Sequence, residues 1–407
     1  MELVDQHIFI LALPRFDNGL ESTNYFVAKE LAKNNQVYYI DNPYTFSDYI
    51  KFKGSSKYHI RKPFLFGIST SLLDTIIPNL KIIITPIIPS LNFLPENPFY
   101  RTCLKVSEYI IRRRIKAILK KRKIESYIYI NSANFHYPGV SNGLNPKLRV
   151  YHCMDPLIIP FDVKHGTTSE KQLVKSSDLV ICTSKQLFKE NKQLNANSFF
   201  IPNAVDISQS SKALDIELPI HKSLKGIKKP IIGYFGNIER RMDFDLLKDV
   251  CKRNQDKSFV FCGPVSAEFA PNWFYSVSNI YLIEAIPYCE MPSLIKGFDV
   301  ALIPFKKDNV SRTIFPLKLF EYLGAGKPVV ATDFNLDLKE FTRDSVFYCS
   351  NSSSFSEAIT EALQNNDSNL IEERLEIAKE NTWEKRVQAI SELIAIKIST
   401  NGHKQVH

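Results

Sequence analysis

The sequence predicts an α/β protein with two parallel sheets, one in each half of the chain, each covered by helices. Two observations predict this fold class. Short apolar runs alternate with segments of helical periodicity, as in strand–helix–strand units. The same layout of strand, glycine turn and helix then begins again near residue 230. A chain of 407 residues is also long enough for two domains with full cores.

The composition is that of a globular protein, with 44% hydrophobic and 12% aromatic residues. Seven cysteines are scattered along the chain without a Cys-x-x-Cys pair or a metal-ligand spacing. This pattern favours reduced thiols and a cytoplasmic location. No apolar run is as long as a transmembrane helix. The first residues are acidic, so we expect no signal peptide.

The loop after the first predicted strand is a candidate site. We expect strands over His7–Leu13 and Gln36–Asp41, with a helix from about Ser22 to Lys33 between them. Ligands of open α/β sheets bind beyond the carboxyl ends of the strands. The alternative is an ordinary turn, since Asp-Asn-Gly sequences favour turns. Four loop residues are candidates by position: Arg15, Asp17, Asn18 and Gly19.

Residues 63–95 are apolar and rich in proline, which prevents a long regular element and leaves one strand near 81–86. Two interpretations stay open: the segment lines the core, or it contacts a lipid-linked ligand. The following segment, about 98–122, is predicted to be a helix.

Much of the net charge of +9 lies in one part of this helix, residues 110–123. Isoleucine and leucine give it one apolar face, and the remainder is basic. Such a face suits anionic lipid headgroups, and a solvated helix face is the equal alternative. Nucleic acid is disfavoured because no aromatic residues are interleaved in the basic run. The basic residues are Arg112, Arg113, Arg114, Lys116, Lys120, Lys121, Arg122 and Lys123.

Further strands are expected at Tyr127–Asn131 and Leu148–His152. Another strand begins at Asp178 and leads to Ser184, which is predicted to cap the next helix. Residues 207–229 are rich in Ser and Lys with little periodicity, so they are predicted to be a linker between the domains.

The second half begins with a predicted strand over Pro230–Phe235, a turn at Gly236 and a helix from Asp243. Gly236 lets the backbone approach a phosphate, and Arg241, with Arg240 beside it, can bind a diphosphate in a bidentate manner. The turn lacks a full Gly-x-Gly-x-x-Gly pattern, so the motif is weak by itself.

The segment 315–332 is predicted to be a short helix, a glycine stop and a buried strand. Pro316 suits a first helical position, while Gly324 and Gly326 end the helix. Lys318 and Glu321 are the only charges on this helix, and three residues apart they share one face. A helix N-terminus also suits a phosphate. An exposed ion pair is the alternative, but the apolar flanks favour a cleft.

The run Phe-Glu-Tyr-Leu-Gly-Ala-Gly-Lys-Pro-Val-Val-Ala-Thr, residues 320–332, resembles the donor-site motif of two-Rossmann-domain (GT-B) glycosyltransferases. It is most similar to the bacterial branch that builds capsular, teichuronic and other exopolysaccharides, which includes glucuronosyltransferases. The resemblance covers about 150–400 and extends weakly over the first third. It implies two Rossmann-like domains facing each other across a cleft, with a C-terminal helix that crosses back to the N-terminal domain.

The resemblance also implies domain roles and boundaries. Residues 1–206 would be the acceptor-binding domain and 207–229 the linker. Residues 230–380 would bind the nucleotide sugar, and 381–407 would be the crossover helix with a polar tail.

In relatives with a Glu-x7-Glu pattern the second Glu binds the ribose of the donor, and Glu321 takes that place. The first Glu falls at Thr313, so half of the pattern is missing, and retention or inversion of the anomeric centre stays open. Lys318 matches the lysine that holds the diphosphate. Arg312 and Thr313 enter the helix start and are expected to line the donor sugar. Further donor-site candidates are Leu319 on the helix and, for the nucleobase, Glu284, Ile286 and Tyr288 after the strand Ile280–Ile283.

Relatives in this branch carry acids near the end of the strand that reaches His152, and an inverting member uses one as general base. Asp155 is retained here, and His152 stands where the first acid would be. A base must reach the acceptor hydroxyl directly or through one water. The alternative for Asp155-Pro156 is the start of a turn. His152, Asp17 and His136 follow Asp155 as candidates.

The resemblance predicts a glycosyltransferase of hexosyltransferase type that uses a nucleotide-diphosphate sugar and a growing, lipid-linked glycan. No Asp-x-Asp pair stands at a plausible strand end, so we expect no metal ion and no other cofactor. The predicted location is the cytoplasm, peripheral to the inner face of the cell membrane. Two alternatives stay open: a nucleotide-sugar epimerase of the same fold, and a catalytically degenerate membrane-associated scaffold.

Overall fold

The structure is a computed structural model that describes residues 3–17, 22–67, 69 and 71–404. The chain divides into two compact units. The first unit comprises Met1–Pro202 and Val387–His407, and the second comprises Asn203–Arg386. Each unit has a sheet of predominantly parallel strands with helices, so the predicted α/β class is confirmed.

The first unit has an eight-stranded sheet among its described residues, in the order β3-β4-β2-β1-β5-β6-β7-β8. Only the pair β3–β4 is antiparallel within this described sheet. Ile8, Phe9, Ile10 and Leu11 of the central strand are all buried, as expected where helices cover both faces of a sheet. The strands are β1 His7–Ala12, β2 Gln36–Ile40, β3 Leu73–Asp74, β4 Leu80–Ile83, β5 Ile128–Ser132, β6 Leu148–Cys153, β7 Leu179–Cys182 and β8 Ser198–Phe200.

Two helices of this unit begin after serines whose side chains cap them. Ser22 and Ser184 accept hydrogen bonds from the backbone N–H groups of Tyr25 and Leu187, so the predicted cap at Ser184 is present. The long helix α4 buries Ile111 and Ile115 in the core beside the sheet. The helices are α1 Thr23–Leu31, α2 Phe46–Phe52, α3 Ser56–Arg61, α4 Pro98–Lys121, α5 Pro160–Ser176 and α6 Lys185–Lys192.

The second unit has a six-stranded sheet in its described residues, with every neighbouring pair parallel, in the order β11-β10-β9-β12-β13-β14. The strands are β9 Ile231–Phe235, β10 Ser258–Cys262, β11 Ile280–Ile283, β12 Val300–Ile303, β13 Val329–Thr332 and β14 Val346–Cys349. Its helices are α7 Ile207–Ser210, α8 Phe244–Arg253, α9 Met291–Lys296, α10 Leu317–Gly324, α11 Lys339–Thr342, α12 Ser352–Gln364 and α13 Ser368–Glu380.

The segment 207–229, expected to be a linker, packs on the second unit. Lys296 donates hydrogen bonds from Nζ to the carbonyls of Asp215 (2.6 Å), Ile216 (3.0 Å) and Leu218 (2.7 Å). His221 Nε2 lies 2.9 Å from Glu290 Oε2. The segment is thus held on its own unit through its backbone carbonyls and one histidine side chain.

The two ends of the second unit are joined to each other by backbone hydrogen bonds. Val205 N–H donates to Asn381 O (3.0 Å), and Trp383 N–H donates to Val205 O (3.2 Å). The last helix, α14 Trp383–Lys404, begins at this junction, and from Val387 its residues belong to the first unit. Within the described ranges, none of the helices combines the length and apolarity that a bilayer crossing requires.

Candidate functional site

The candidate site in the second unit lies where β9 and β12 end. These two strands pair directly, with Gly233 beside Ala301, although the chain runs through β10 and β11 between them. Such a switch in strand order is where open α/β sheets bind ligands, beyond the carboxyl ends. The loops after the two strands are tied together, because Lys306 N–H donates to Arg241 O at 2.7 Å.

Helix α10 brings the two predicted charges to this edge. Pro316 is its N-cap residue, so the helix begins at Leu317, one residue later than predicted. The difference is within the usual uncertainty of helix ends. Glu321 is buried and Lys318 is half-buried. The pair is therefore not the exposed ion pair that was the alternative interpretation.

Lys318 is held against an aromatic side chain. Its Nζ donates to the hydroxyl of Tyr234 (2.5 Å) and lies 3.9 Å from the centre of that ring. The Tyr234 hydroxyl in turn donates to Asn237 O (2.8 Å). Burial, and next the charge of Arg241, lower the pKa of Lys318 well below its ordinary value, although Glu321 opposes the change. An anion bound here would restore the charged form.

Glu321 accepts a hydrogen bond from the Tyr288 hydroxyl at Oε1 (3.0 Å). Burial raises the pKa of Glu321 to about 7, while the Tyr288 hydrogen bond and the charge of Lys318 act in the opposite direction. The turn that carries Tyr288 is fixed by Gln209, whose Nε2 donates to Tyr288 O (3.2 Å) and Cys289 O (3.1 Å). Glu321 is thus a buried acceptor that titrates near neutral pH.

Two glycines allow the strand ends to approach each other. Gly236 and Gly263 have φ of +131° and +145°, a region that side chains disfavour. A Cβ on Gly236 would lie 2.7 Å from Lys318 Nζ, and one on Gly263 would lie 2.2 Å from Gly236 O. The absence of a side chain at Gly236 therefore lets the Lys318 ammonium approach the turn at which a phosphate was predicted.

The remaining donor-site candidates are distributed around this centre. Arg241 donates from Nε to Glu239, and its guanidinium lies 5.7 Å from the Phe305 ring centre. Leu319 is fully buried. Thr313 is buried and donates from its hydroxyl to Val310 O (2.7 Å). Arg240 and Ile286 are half-buried, and Glu284 and Arg312 are exposed.

In the first unit, the predicted base Asp17 is engaged by Arg61. Its carboxylate accepts hydrogen bonds of 2.6 and 2.7 Å from the guanidinium, which also pairs with Asp41. Burial raises the pKa of Asp17, but the hydrogen bonds and charge of Arg61 outweigh it and lower the pKa below its ordinary value. Arg15 pairs with Asp48 at 2.8 Å. Asn18 and Gly19 lie outside the described residues.

The other candidate bases lie at or after the ends of the neighbouring strands β5 and β6. His152 is buried near the end of β6, and burial lowers its pKa to about 4. Asp155 lies at an exposed bend directly after that strand. His136 follows β5, and burial, together with the charge of His165, lowers its pKa to about 4. The parallel sheet brings these strand ends to one edge, and the choice of base stays a prediction.

Several site residues were not predicted. Tyr234 and Phe305 flank the Lys318 ammonium, Gly263 faces Gly236, and Gln209 fixes the Tyr288 turn. The sequence offered one signal for these residues: Tyr234 lies in the predicted strand that ends directly before the turn at Gly236. Among the described residues, no cluster of three or more His, Cys, Asp or Glu is suited to a metal ion.

The chain is similar to known proteins in both sequence and fold. A family described as "Glycosyl transferases group 1" matches residues 229–365. A curated relative from Bacillus subtilis (strain 168), the teichuronic acid biosynthesis glycosyltransferase TuaH, is 27% identical over 200 residues. That match covers 45% of this chain, and the chain spans about half (50%) of the length of TuaH.

Solved structures are similar over nearly the whole chain. HepE of Anabaena, in complex with UDP, has a TM-score of 0.64 and 13% identity, covering 96% of this chain and 99% of HepE. The trehalose-6-phosphate synthase of Burkholderia multivorans has a TM-score of 0.68 and 10% identity, covering 98% of each chain. At these identities the likeness establishes the fold.

The fold is therefore that of the GT-B glycosyltransferases, as the resemblance at residues 320–332 implied. Residues 229–365 match the group 1 glycosyl transferase family, and this match agrees with the expected enzyme class.

Proposed function

We propose that the protein transfers a sugar from a nucleoside-diphosphate sugar to a hydroxyl of a growing, lipid-linked surface glycan. The observation that carries this proposal is the pair Lys318 and Glu321 on one helix at the strand switch. The acceptor oxygen forms a bond to the anomeric carbon, and the bond from that carbon to the diphosphate oxygen breaks. The nucleoside diphosphate leaves with the electron pair, and the acceptor proton passes to a base, for which Asp155 is our candidate.

The charges of the site suit this reaction. Lys318 and Arg241 face the negative charge that develops on the leaving diphosphate, which is electrostatic catalysis aimed at the transition state. Glu321 accepts hydrogen bonds from the ribose hydroxyls. These cations supply the positive charge that a metal ion supplies elsewhere, so we propose that the reaction is metal-independent.

The relatives support particular substrates. HepE has been solved with UDP and with UDP and glucose, and TuaH is named for teichuronic acid biosynthesis. These names support a UDP-sugar donor and a surface polysaccharide acceptor. We propose that the enzyme works at the cytoplasmic face of the cell membrane, where lipid-linked glycans are extended.

Two of the eight basic residues in the segment 110–123 are engaged within the fold. Arg112 donates to the carbonyls of Val140 and Gly139, and Arg114 donates to those of Ser69 and Ser71. These two cations therefore stabilise the fold. The basic residues that stay exposed are Arg113, Lys116, Lys120, Lys121, Arg122 and Lys123.

The first test is thermal stability with UDP, GDP, ADP and CMP, with and without magnesium. At about 100 times its dissociation constant, a ligand of the folded state adds roughly 2.7 kcal/mol of stability. We expect UDP to stabilise the protein equally with and without magnesium. Glu321→Gln should abolish this shift, and Glu357→Gln, on the distant helix α12, should retain it. No shift with any nucleotide would contradict the proposal and favour a degenerate scaffold, and an epimer formed from the donor without acceptor would favour an epimerase.

The affinity for a UDP-sugar is expected to depend on pH through Glu321. Only the ionised carboxylate accepts two ribose hydrogen bonds, so affinity should rise with pH through the pKa of about 7. Tyr288→Phe removes a hydrogen bond that favours ionisation of Glu321, so the rise in affinity should occur at higher pH in this variant. Calorimetric titration between about pH 5.5 and about pH 8.5 measures it. If the affinity of Tyr288→Phe rises over the same pH range as that of the wild type, Glu321 is excluded as the titrating group.

A further inference from the structure

An exposed aromatic surface follows β2 in the first unit. Phe46, Ile50 and Phe66 are 57%, 61% and 63% exposed. Tyr49 joins them, because its ring centre lies 6.3 Å from that of Phe46 and 6.0 Å from that of Phe66. Contiguous exposed apolar side chains of this size mark an interaction site. We call the surface formed by residues 46–67 the α2–α3 surface.

The charge of this surface is almost entirely positive. Its one carboxylate, Asp48, is paired with Arg15 at 2.8 Å, and the cation Arg61 is buried against Asp17 and Asp41. Among the remaining basic residues, those that are exposed are Lys51, Lys53, His59 and Lys62. An occupant of the surface must therefore be both apolar and anionic.

The surface is held firmly on the sheet. Tyr44, Tyr58 and Leu65 form a small buried core beneath it. Leu65 O accepts from Ile87 N–H at 2.8 Å. Because Arg61 joins this segment to the ends of β1 and β2 through Asp17 and Asp41, the aromatic side chains stand beside the carboxyl edge of the sheet, the edge where ligands bind.

We propose that the α2–α3 surface docks on an anionic lipid bilayer, with Phe46, Ile50 and Phe66 in the headgroup region. Aromatic and aliphatic side chains flanked by lysine are favoured at such an interface. Anionic lipids attract the exposed lysines. A second copy of the chain would bring lysine against lysine, so self-association is disfavoured. The inference rests on the proposed function for its purpose, since docking would present the carboxyl edge of this sheet to a lipid-linked acceptor.

Vesicle sedimentation tests the proposal. The full chain should bind phosphatidylglycerol–phosphatidylcholine vesicles and not pure phosphatidylcholine. A triple variant, Phe46→Ser with Ile50→Ser and Phe66→Ser, should partition at least about tenfold more weakly. Lys51→Glu with Lys53→Glu should do the same. Ile76→Ser is the matched control, because Ile76 is 97% exposed outside the surface, and it should bind as the wild type does.

A tryptophan probe distinguishes insertion from adsorption. Brominated lipids should quench the tryptophan fluorescence of the Phe46→Trp variant and should leave that of the Ile76→Trp variant unchanged. Thermal stability and the UDP shift verify that each variant is folded. If the triple variant binds normally while Lys116→Glu with Lys120→Glu on α4 releases the protein, the inference is overturned. Concentration-dependent dimerisation that the triple variant abolishes would also overturn it. If the protein binds vesicles but no nucleotide raises its thermal stability, the proposed function is contradicted and the proposed docking surface is not.

Discussion

Lys318→Met is expected to lower kcat by about 10²–10³-fold, or roughly 3–4 kcal/mol of transition-state stabilisation. Methionine keeps the length of the side chain and its contact with the Tyr234 ring but removes the charge that we propose faces the leaving diphosphate. Because this charge matters most when the anomeric bond breaks, kcat should fall more than KM rises. Single-turnover transfer from the UDP-sugar measures the chemical step.

Lys248→Met is the control for this variant, since Lys248 is an exposed lysine on helix α8 of the same unit. It should turn over as the wild type does. Tyr234→Phe keeps the ring and removes the hydroxyl that fixes the ammonium, so its loss should be intermediate. Turnover of Lys318→Met within about threefold of the wild type would contradict the assigned role, since that difference is below about 1 kcal/mol.

Gly263→Ala is expected to lower the free energy of unfolding by about 3–4 kcal/mol. The new methyl group would lie 2.2 Å from Gly236 O, and backbone cannot move away as a flexible side chain can. The φ of +145° adds strain of its own. Urea denaturation with an unchanged m-value measures the change.

Gly226→Ala separates the two causes. Gly226 also has a positive φ, +85°, but a Cβ there meets no atom within 4 Å. Gly226→Ala should lower the free energy of unfolding by about 1–2 kcal/mol, because only the backbone conformation is strained. Equal losses in the two variants would show that the contact between Gly263 and Gly236 is unimportant.

Local features of the sequence predicted much of the fold. The strand Ile280–Ile283 has the predicted bounds, and Ser184 caps its helix as expected. The helix that carries Lys318 and Glu321 was predicted from its proline and its glycines. These features depend on neighbours in sequence, which is why a pattern reveals them.

Contacts between distant residues were beyond prediction. Tyr234 reaches Lys318 only because β9 pairs with β12, and Asp17 meets Arg61 across 44 residues. The periodicity of α4 predicted an amphipathic helix but not that some of its arginines donate to backbone carbonyls. Likewise, the composition of 207–229 resembles a linker, and only the hydrogen bonds from Lys296 reveal its contacts.

The hydrogen bonds among Val205, Asn381 and Trp383 affect how the protein can evolve and be engineered. The two ends of the second unit lie side by side, because they are hydrogen-bonded to each other. The second unit is thus an insertion in the sequence of the first, and its two ends are joined by contacts within the second unit itself. The segment 203–386 can therefore be exchanged as a single cassette, which offers evolution and the protein engineer a route to vary the second unit while the sequence of the first is kept.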